Sequence, residues 1–214
     1  MSTVTSFEDL PLGIAMASTV IEVQPRSDHM LLEATLTGDE AAFGELVGRY
    51  RNQITNFIYR MTNDYDGAVD LAQETFVRVY RAADRYKSNF AFSTYIYRIA
   101  TNLAISEIRK RKRRRLVSLT GFFLETEREK DQEFNPPDLK PLQDAVLVDA
   151  ERRSAVGKAI ATLPEKYRAP LILRDIDGRS YEEIALILRT NEGTIKSRIS
   201  RARALLREKL IAYI

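Results

Sequence analysis

The chain has 214 residues, 44% hydrophobic and 29% charged, with no cysteine and one histidine, His29. That length holds one medium core or two small ones, and the composition excludes a disulfide framework, a cysteine zinc site, a thiol nucleophile and a histidine metal cluster. The formal charge of +3 looks too near neutral for a nucleic-acid partner, yet it averages unlike parts: residues 1–115 carry 16 basic and 14 acidic side chains, 116–149 carry 3 and 8, and 150–214 carry 14 and 8.

Residues 1–27 contain one basic residue, Arg26, and an apolar stretch from Leu10 to Val23 broken by Pro11, Gly13 and Glu22. No membrane span fits there. Glu8 and Asp9 stand where a secretory signal needs positive charge, so the segment reads as a flexible or docking extension of a cytoplasmic protein.

From Asp28 to Arg115 the spacing is helical. Asp39 is placed to cap a helix whose stripe is Phe43, Leu46, Val47, Tyr50, Ile54, Phe57, Ile58 and Met61. After a turn at Asn63–Gly67, a second helix sets Val69, Ala72, Phe76 and Val79 on one face and Asp70, Gln73, Glu74, Val77 and Tyr80 on others. A break at Lys87–Asn89 precedes a third helix, starting near Ser93 or Thr94 and running through Ile96, Ile99, Ala100, Leu103 and Ile108 into seven consecutive basic residues, Arg109–Arg115. Alone, such a run reads equally well as a solvated helix end.

Residues 116–145 lose the periodicity, gain acidic charge and contain Asn135-Pro136-Pro137 and Pro141, the composition of a tether. Helices resume from Val146 to about Ala161. Pro164 then sits at a helix start, Asp177-Gly178 makes a turn, and Ser180 with Glu183 fits a capping box. After a break at Arg189 and Thr190, Asn191 caps a last helix with Ile195, Ile199, Ala202 and Leu206 inside and Lys196, Ser200, Arg203 and Arg207 outside. Two short helices joined by a three- to four-residue turn, the second basic on its outer face, form a helix-turn-helix suited to the major groove. The fold expected is all-α, two small helical domains on a flexible linker.

The strings Leu163-Pro164-Glu165-Lys166-Tyr167-Arg168, Leu173-Arg174-Asp175-Ile176-Asp177-Gly178, Ser180-Tyr181-Glu182-Glu183-Ile184-Ala185 and Gly193-Thr194-Ile195-Lys196-Ser197-Arg198, with Arg201-Ala202-Arg203, closely resemble region 4 of extracytoplasmic-function sigma factors. Asp70-Leu71-Ala72-Gln73-Glu74-Thr75-Phe76 resembles the polymerase-binding helix of region 2. Phe92-Ser93-Thr94-Tyr95-Ile96-Tyr97-Arg98-Ile99-Ala100-Thr101-Asn102 resembles its melting and −10 recognition segment.

The resemblance covers residues 28–115 and 146–214. It implies a subunit that binds core RNA polymerase and directs it to promoters through double-stranded −35 and single-stranded −10 contacts. No catalytic centre, cofactor, metal or membrane insertion of its own is implied. An anti-sigma factor covering both domains is the expected inhibitor.

The resemblance assigns Asp70, Gln73, Glu74, Phe76 and Tyr80 to polymerase binding, with a core role for Phe76 as the competing reading. It assigns Lys87, Ser88, Asn89, Phe90, Phe92, Tyr95, Arg98 and Asn102 to the −10 element. Their chemistry agrees, because an unstacked base needs an aromatic pocket and hydrogen bonds to its edges. Tyr97 reads equally as packing or DNA contact. Arg109, Lys110, Arg111, Lys112 and Arg113 would hold duplex backbone upstream, and Lys196, Ser197, Arg198, Ser200, Arg201 and Arg203 would meet −35 DNA.

This chain departs from the family pattern at Tyr95, where tryptophan is frequent, at Arg189-Thr190, where glycine and an apolar residue are common, and at the small Ser200. Two other readings are a stand-alone helix-turn-helix regulator and a nuclease or other DNA enzyme with carboxylates for a metal or for an acid/base pair. The second would use Asp64, Asp66 and Asp70, which helix capping explains as well.

Overall fold

A computed structural model describes residues 26–86, 90–120 and 155–211, with side chains at all of these except 115–120. Every regular element among them is helical. The expectations for residues 1–25, for Lys87, Ser88 and Asn89, and for residues 121–154 lie outside the described part.

The first bundle begins with α1 (Asp28–Leu36), capped by Ser27, and α2 (Glu40–Thr62), where Asp39 accepts from the Ala42 amide at 3.0 Å. Asn63 ends α2 in the left-handed region, and Asp64 caps α3 (Tyr65–Arg81) by accepting from the Gly67 amide at 3.2 Å. A side chain at position 67 would collide with the Asp64 carboxylate. A 3-10 turn (Ala83–Arg85) leads to α4 (Phe92–Thr120). The backbone of α4 continues five residues beyond Arg115, into the stretch read as linker, because no helix breaker stands before Gly121.

The second bundle starts with helical residues 155–161 (α5), then α6 (Glu165–Leu171), a π-helical turn (Ile172–Ile176), α7 (Tyr181–Leu188) and α8 (Glu192–Ile211). Pro170 lies inside α6 and removes one backbone donor, and the chain widens directly after it. Gly178, at φ +69°, turns the chain into the expected capping box, where the Ser180 amide donates to Glu183 at 2.8 Å and the Glu183 amide donates to Ser180 Oγ at 3.1 Å.

Inside the first bundle α2 supplies Leu46, Ile54, Phe57, Ile58 and Met61, packed on Ala72, Phe76 and Val79 of α3 and Ile96, Tyr97 and Ala100 of α4. Inside the second, Leu163, Ile172, Ile184, Ile195 and Ile199 play the same part. The two sets join in one apolar cluster, with α7 lying against α4 and the end of α2 against α6 and the π turn.

Arg168 is the polar centre of that junction. It is 7% exposed, and its guanidinium donates to the carbonyls of Met61 on α2, Ala161 on α5 and Leu163. Beside it, Asp177 lies 3.5 Å from Arg60 of α2 and is faced by Tyr97 of α4 and by Arg179 of its own loop. Burial outweighs those neighbours and pushes its pKa up to about 6. Burial likewise pushes Tyr97 up to about 12, with Arg179 stacked 4.6 Å above its ring.

Replacing Arg168 with alanine should destabilise the protein by about 3 kcal/mol, since three buried carbonyls lose their donor; urea unfolding reads this directly. An acid whose pKa is raised by folding stabilises the fold most when protonated. The Asp177 contribution is therefore full below the ordinary 3.8 and lost as pH rises through about 6. Unfolding free energies at pH 5 and pH 7 should show the wild type losing about 1 kcal/mol relative to Asp177→Asn across that window.

Candidate nucleic-acid interface

The turn between α7 and α8 is built by residues whose roles follow from short-range chemistry. Arg189 ends α7 at φ 50° and ψ 53°, the conformation glycine adopts most easily, and the Thr190 amide closes the turn on the Ala185 carbonyl at 3.0 Å. Asn191 accepts from the Thr194 amide at 2.8 Å and starts α8. The helix-turn-helix thus forms without a glycine in the turn.

Ile195, Ile199 and Ala202 anchor α8, leaving Lys196, Ser197, Ser200, Arg201 and Arg203 exposed and Arg198 half-buried. Ser197 is tied to the Thr194 carbonyl at 2.9 Å, and Lys196 lies 3.6 Å from Glu192. Arg201 holds the Tyr167 phenol below its ordinary pKa. Arg203, read as a phosphate contact, is engaged in this DNA-free state by both carboxylate oxygens of Asp175 at the end of the π turn. Exposed pairs of this kind are weak, and a phosphate can replace the carboxylate.

On α4 and just before it the expected residues separate by depth. Asn102 is exposed, Tyr95 is half-buried against Tyr86 at 5.3 Å, and Phe90 is 42% exposed beneath the Arg98 guanidinium. Phe92 departs from the expectation. It is 3% exposed, packed on Tyr50 and Tyr86, because it opens α4 on the side that faces the core. Tyr97 is likewise packing.

Arg98 donates to the Leu186 carbonyl at 2.9 Å across the junction. Burial and the nearby positive charge of Arg189 both lower its pKa.

Along the basic run, Arg109 and Lys112 lie 3.5 and 3.3 Å from Glu165 of α6, while Lys110 and Arg113 are exposed. Arg111 turns inward to Asp64 and to Glu107 at 3.0 Å, so it braces the start of α3 and is withdrawn from the outer surface. Its charge and the Gly67 amide hold Asp64 below the ordinary carboxylate value against the opposing effect of burial.

On α3, Asp70, Gln73, Glu74 and Tyr80 form an exposed face with Val77, whereas Phe76 is 7% exposed and belongs to the core.

The residues that join the bundles, Arg60, Arg168, Asp177 and Arg179, were not legible as a group. Only the charged Arg168 inside the apolar stretch Tyr167–Leu173 hints at a buried role. Among the described residues no group of three or more His, Asp or Glu could hold a metal, and no helix is long and apolar enough to cross a membrane. Asp64, one of the three carboxylates of the enzyme reading, is committed to its cap and to Arg111.

The Sigma-70 region 2 family model matches residues 46–114, and the Sigma-70 region 4 model matches residues 153–206. The chain is 37% identical to RNA polymerase sigma-H factor of Pseudomonas aeruginosa, over 82% of this chain and 90% of that protein. It is also 37% identical to the ECF RNA polymerase sigma factor SigW of Bacillus subtilis, over 81% and 91%. Among solved structures, sigma factor RpoE of Bartonella quintana in complex with anti-sigma factor NepR superposes with a TM-score of 0.60, at 27% identity over 78% of this chain and 96% of that one. CnrH in complex with the cytosolic domain of CnrY shares the fold at a TM-score of 0.62 and 22% identity, over 87% and 99%.

Proposed function

The chain belongs to the extracytoplasmic-function family of RNA polymerase sigma factors, and from that premise we propose that it binds core RNA polymerase in the cytoplasm and directs it to a defined set of promoters. It is a binding subunit with no reaction of its own. The observation that carries this is the pairing of two basic helical faces, on α4 and α8, in a chain that matches both DNA-handling regions of the family.

Lys196, Ser197, Arg198, Ser200 and Arg201 enter the −35 major groove, where lysine and arginine meet guanine edges and phosphates and the two serines allow close approach. Asn102 and Arg98 address the −10 strand, with Tyr95 and Phe90 as stacking surfaces. Phe92 acts from below by seating Tyr95. Arg109, Lys110, Lys112 and Arg113 hold duplex backbone upstream, and Arg111 fixes the helix they stand on. The exposed α3 face of Asp70, Gln73, Glu74 and Tyr80 docks on polymerase, with Phe76 holding that face in place.

An anti-sigma partner fits the same reading, as the Bartonella relative was solved bound to one. A stand-alone repressor or activator would leave the region 2 match at residues 46–114 without a role.

Run-off transcription with purified core polymerase on a promoter library should yield start sites that depend on this chain, and their absence would sink the proposal. Asn102→Ala and Arg201→Ala should each lower transcription from a cognate promoter by about tenfold, the first relaxing the −10 preference and the second the −35 preference.

A further inference from the structure

The π turn after Pro170 contributes no side chain to the surfaces assigned to DNA or polymerase, yet it sets one carboxylate against α8. Its backbone is held on both sides of that carboxylate. The Asp177 amide donates to the Ile172 carbonyl at 3.0 Å, the Arg179 amide to the Leu173 carbonyl at 2.9 Å, and Arg174 Nη1 to the Arg179 carbonyl at 2.8 Å. Ile172 and Leu173 are buried and Asp175 is exposed, so Asp175 stands on anchored backbone with its side chain outward.

There Arg203 Nε donates to Asp175 Oδ2 at 3.0 Å, and Arg203 Nη2 donates to Oδ1 at 2.5 Å. Among the described residues no other arginine engages both oxygens of one carboxylate, and Lys196 meets Glu192 only through its single ammonium, at 3.6 Å. Two parallel bonds fix the plane of the guanidinium. They take the side edge of the fork and leave the end edge, Nη1 with the outer hydrogen of Nη2, open on a side chain that is 51% exposed. A phosphate can displace the carboxylate, but it need not, because the two acceptors use different edges.

Arg203 continues the stripe of Lys196 and Ser200 along α8, at spacings of four and three residues. It therefore stands about 10 Å along the axis from Lys196, close to the width of about 12 Å of the major groove. With Lys196 at base edges, Arg203 reaches the wall of the groove, where the acceptors are phosphate oxygens.

We propose that Asp175 is a positioning residue for −35 DNA, holding the Arg203 guanidinium with its end edge presented to a backbone phosphate and staying paired while that phosphate is bound. The inference rests on the reading of α8 as the −35 helix and adds to it a residue from the π turn.

A carboxylate beside a DNA-facing helix weakens binding by its charge alone, so positioning predicts an effect of the opposite sign. Arg203 is exposed in the full chain, and phosphate contacts are independent of sequence, so anisotropy of a labelled random duplex of about twenty base pairs in about 50 mM salt reads the effect. Asp175→Ala and Asp175→Asn should each bind about threefold more weakly, although each removes a negative charge, and Asp175→Glu should stay closer to wild type. Arg203→Ala should bind about fivefold more weakly and lower the salt slope by about one phosphate. In the Arg203→Ala background, Asp175→Ala should instead strengthen binding slightly, since only its charge then matters.

Asp175→Asn keeps the shape of the side chain and serves if Asp175→Ala does not fold. The proposal is overturned if Asp175→Asn binds as tightly as the wild type or more tightly, or if the weakening by Asp175→Ala persists without Arg203. Run-off transcription decides the sigma-factor reading separately. Dependent start sites together with unweakened duplex binding by Asp175→Asn would sink this inference alone, and the reversal of sign without dependent start sites would sink the sigma-factor reading alone.

Discussion

Helix ends that point away from water need donors for their last carbonyls, and in this protein two bundles bring such ends to the same place. The planar guanidinium of Arg168 serves the end of α2, the end of α5 and the segment entering α6 at once. A lysine, with its donors on a single point at the end of a flexible stem, would not span three carbonyls in that geometry. Once α2 and α6 are pinned together, the rest of the junction follows. The π turn falls against α2, Asp177 meets Arg60, Arg179 lies over Tyr97, and α7 comes down on α4. The position of the helix-turn-helix relative to the first bundle is thus a consequence of how one buried charge finds its acceptors.

That geometry explains why a chain of net charge +3 carries two strongly basic surfaces without repelling itself apart. Each surface has a carboxylate within reach: Glu165 for Arg109 and Lys112, Asp175 for Arg203, Glu192 for Lys196. These are exposed pairs of about 0–1 kcal/mol each, weak enough to be exchanged for phosphate oxygens. The half-buried pairing of Arg111 with Asp64 is of another kind and belongs to the scaffold, because it ties the basic end of α4 to the start of α3. The acidic balance of the chain is in this sense placed as well as counted.

Much of this was legible in the sequence, for local reasons. Asp39, Ser180 and Asn191 announce helix starts through side-chain bonds three residues long, and each forms as read. The basic face of α8 and the apolar faces of α2 and α3 follow from periodicity alone. What stayed hidden depends on contacts far apart in the chain. Nothing local distinguishes Arg111, which turns inward, from Arg109 and Lys112 beside it, because the difference is made by Asp64 on another helix. Phe92 looks like a surface aromatic in a recognition motif and is core because of what lies across from it, whereas the core role of Phe76 is already one of its two readings from the apolar face it shares with Ala72 and Val79. The widened turn after Pro170 is hidden for a different reason. Proline inside a helix signals a break, but whether the chain kinks or widens is settled by packing.

The uninterrupted α4 gives the molecule a ruler. Asn102 and Arg109 stand on one 29-residue helix, seven positions apart, which at 1.5 Å per residue separates them by about 10 Å, or about three base pairs of duplex. On the proposed reading, the distance from the opened bases to the first clamped backbone upstream is therefore fixed by a rigid rod and is insensitive to the linker. Promoter spacing then divides into two parts. The interval near the opened strand is written in the pitch of one helix, and only the remainder, out to the −35 element, is left for the tether to accommodate.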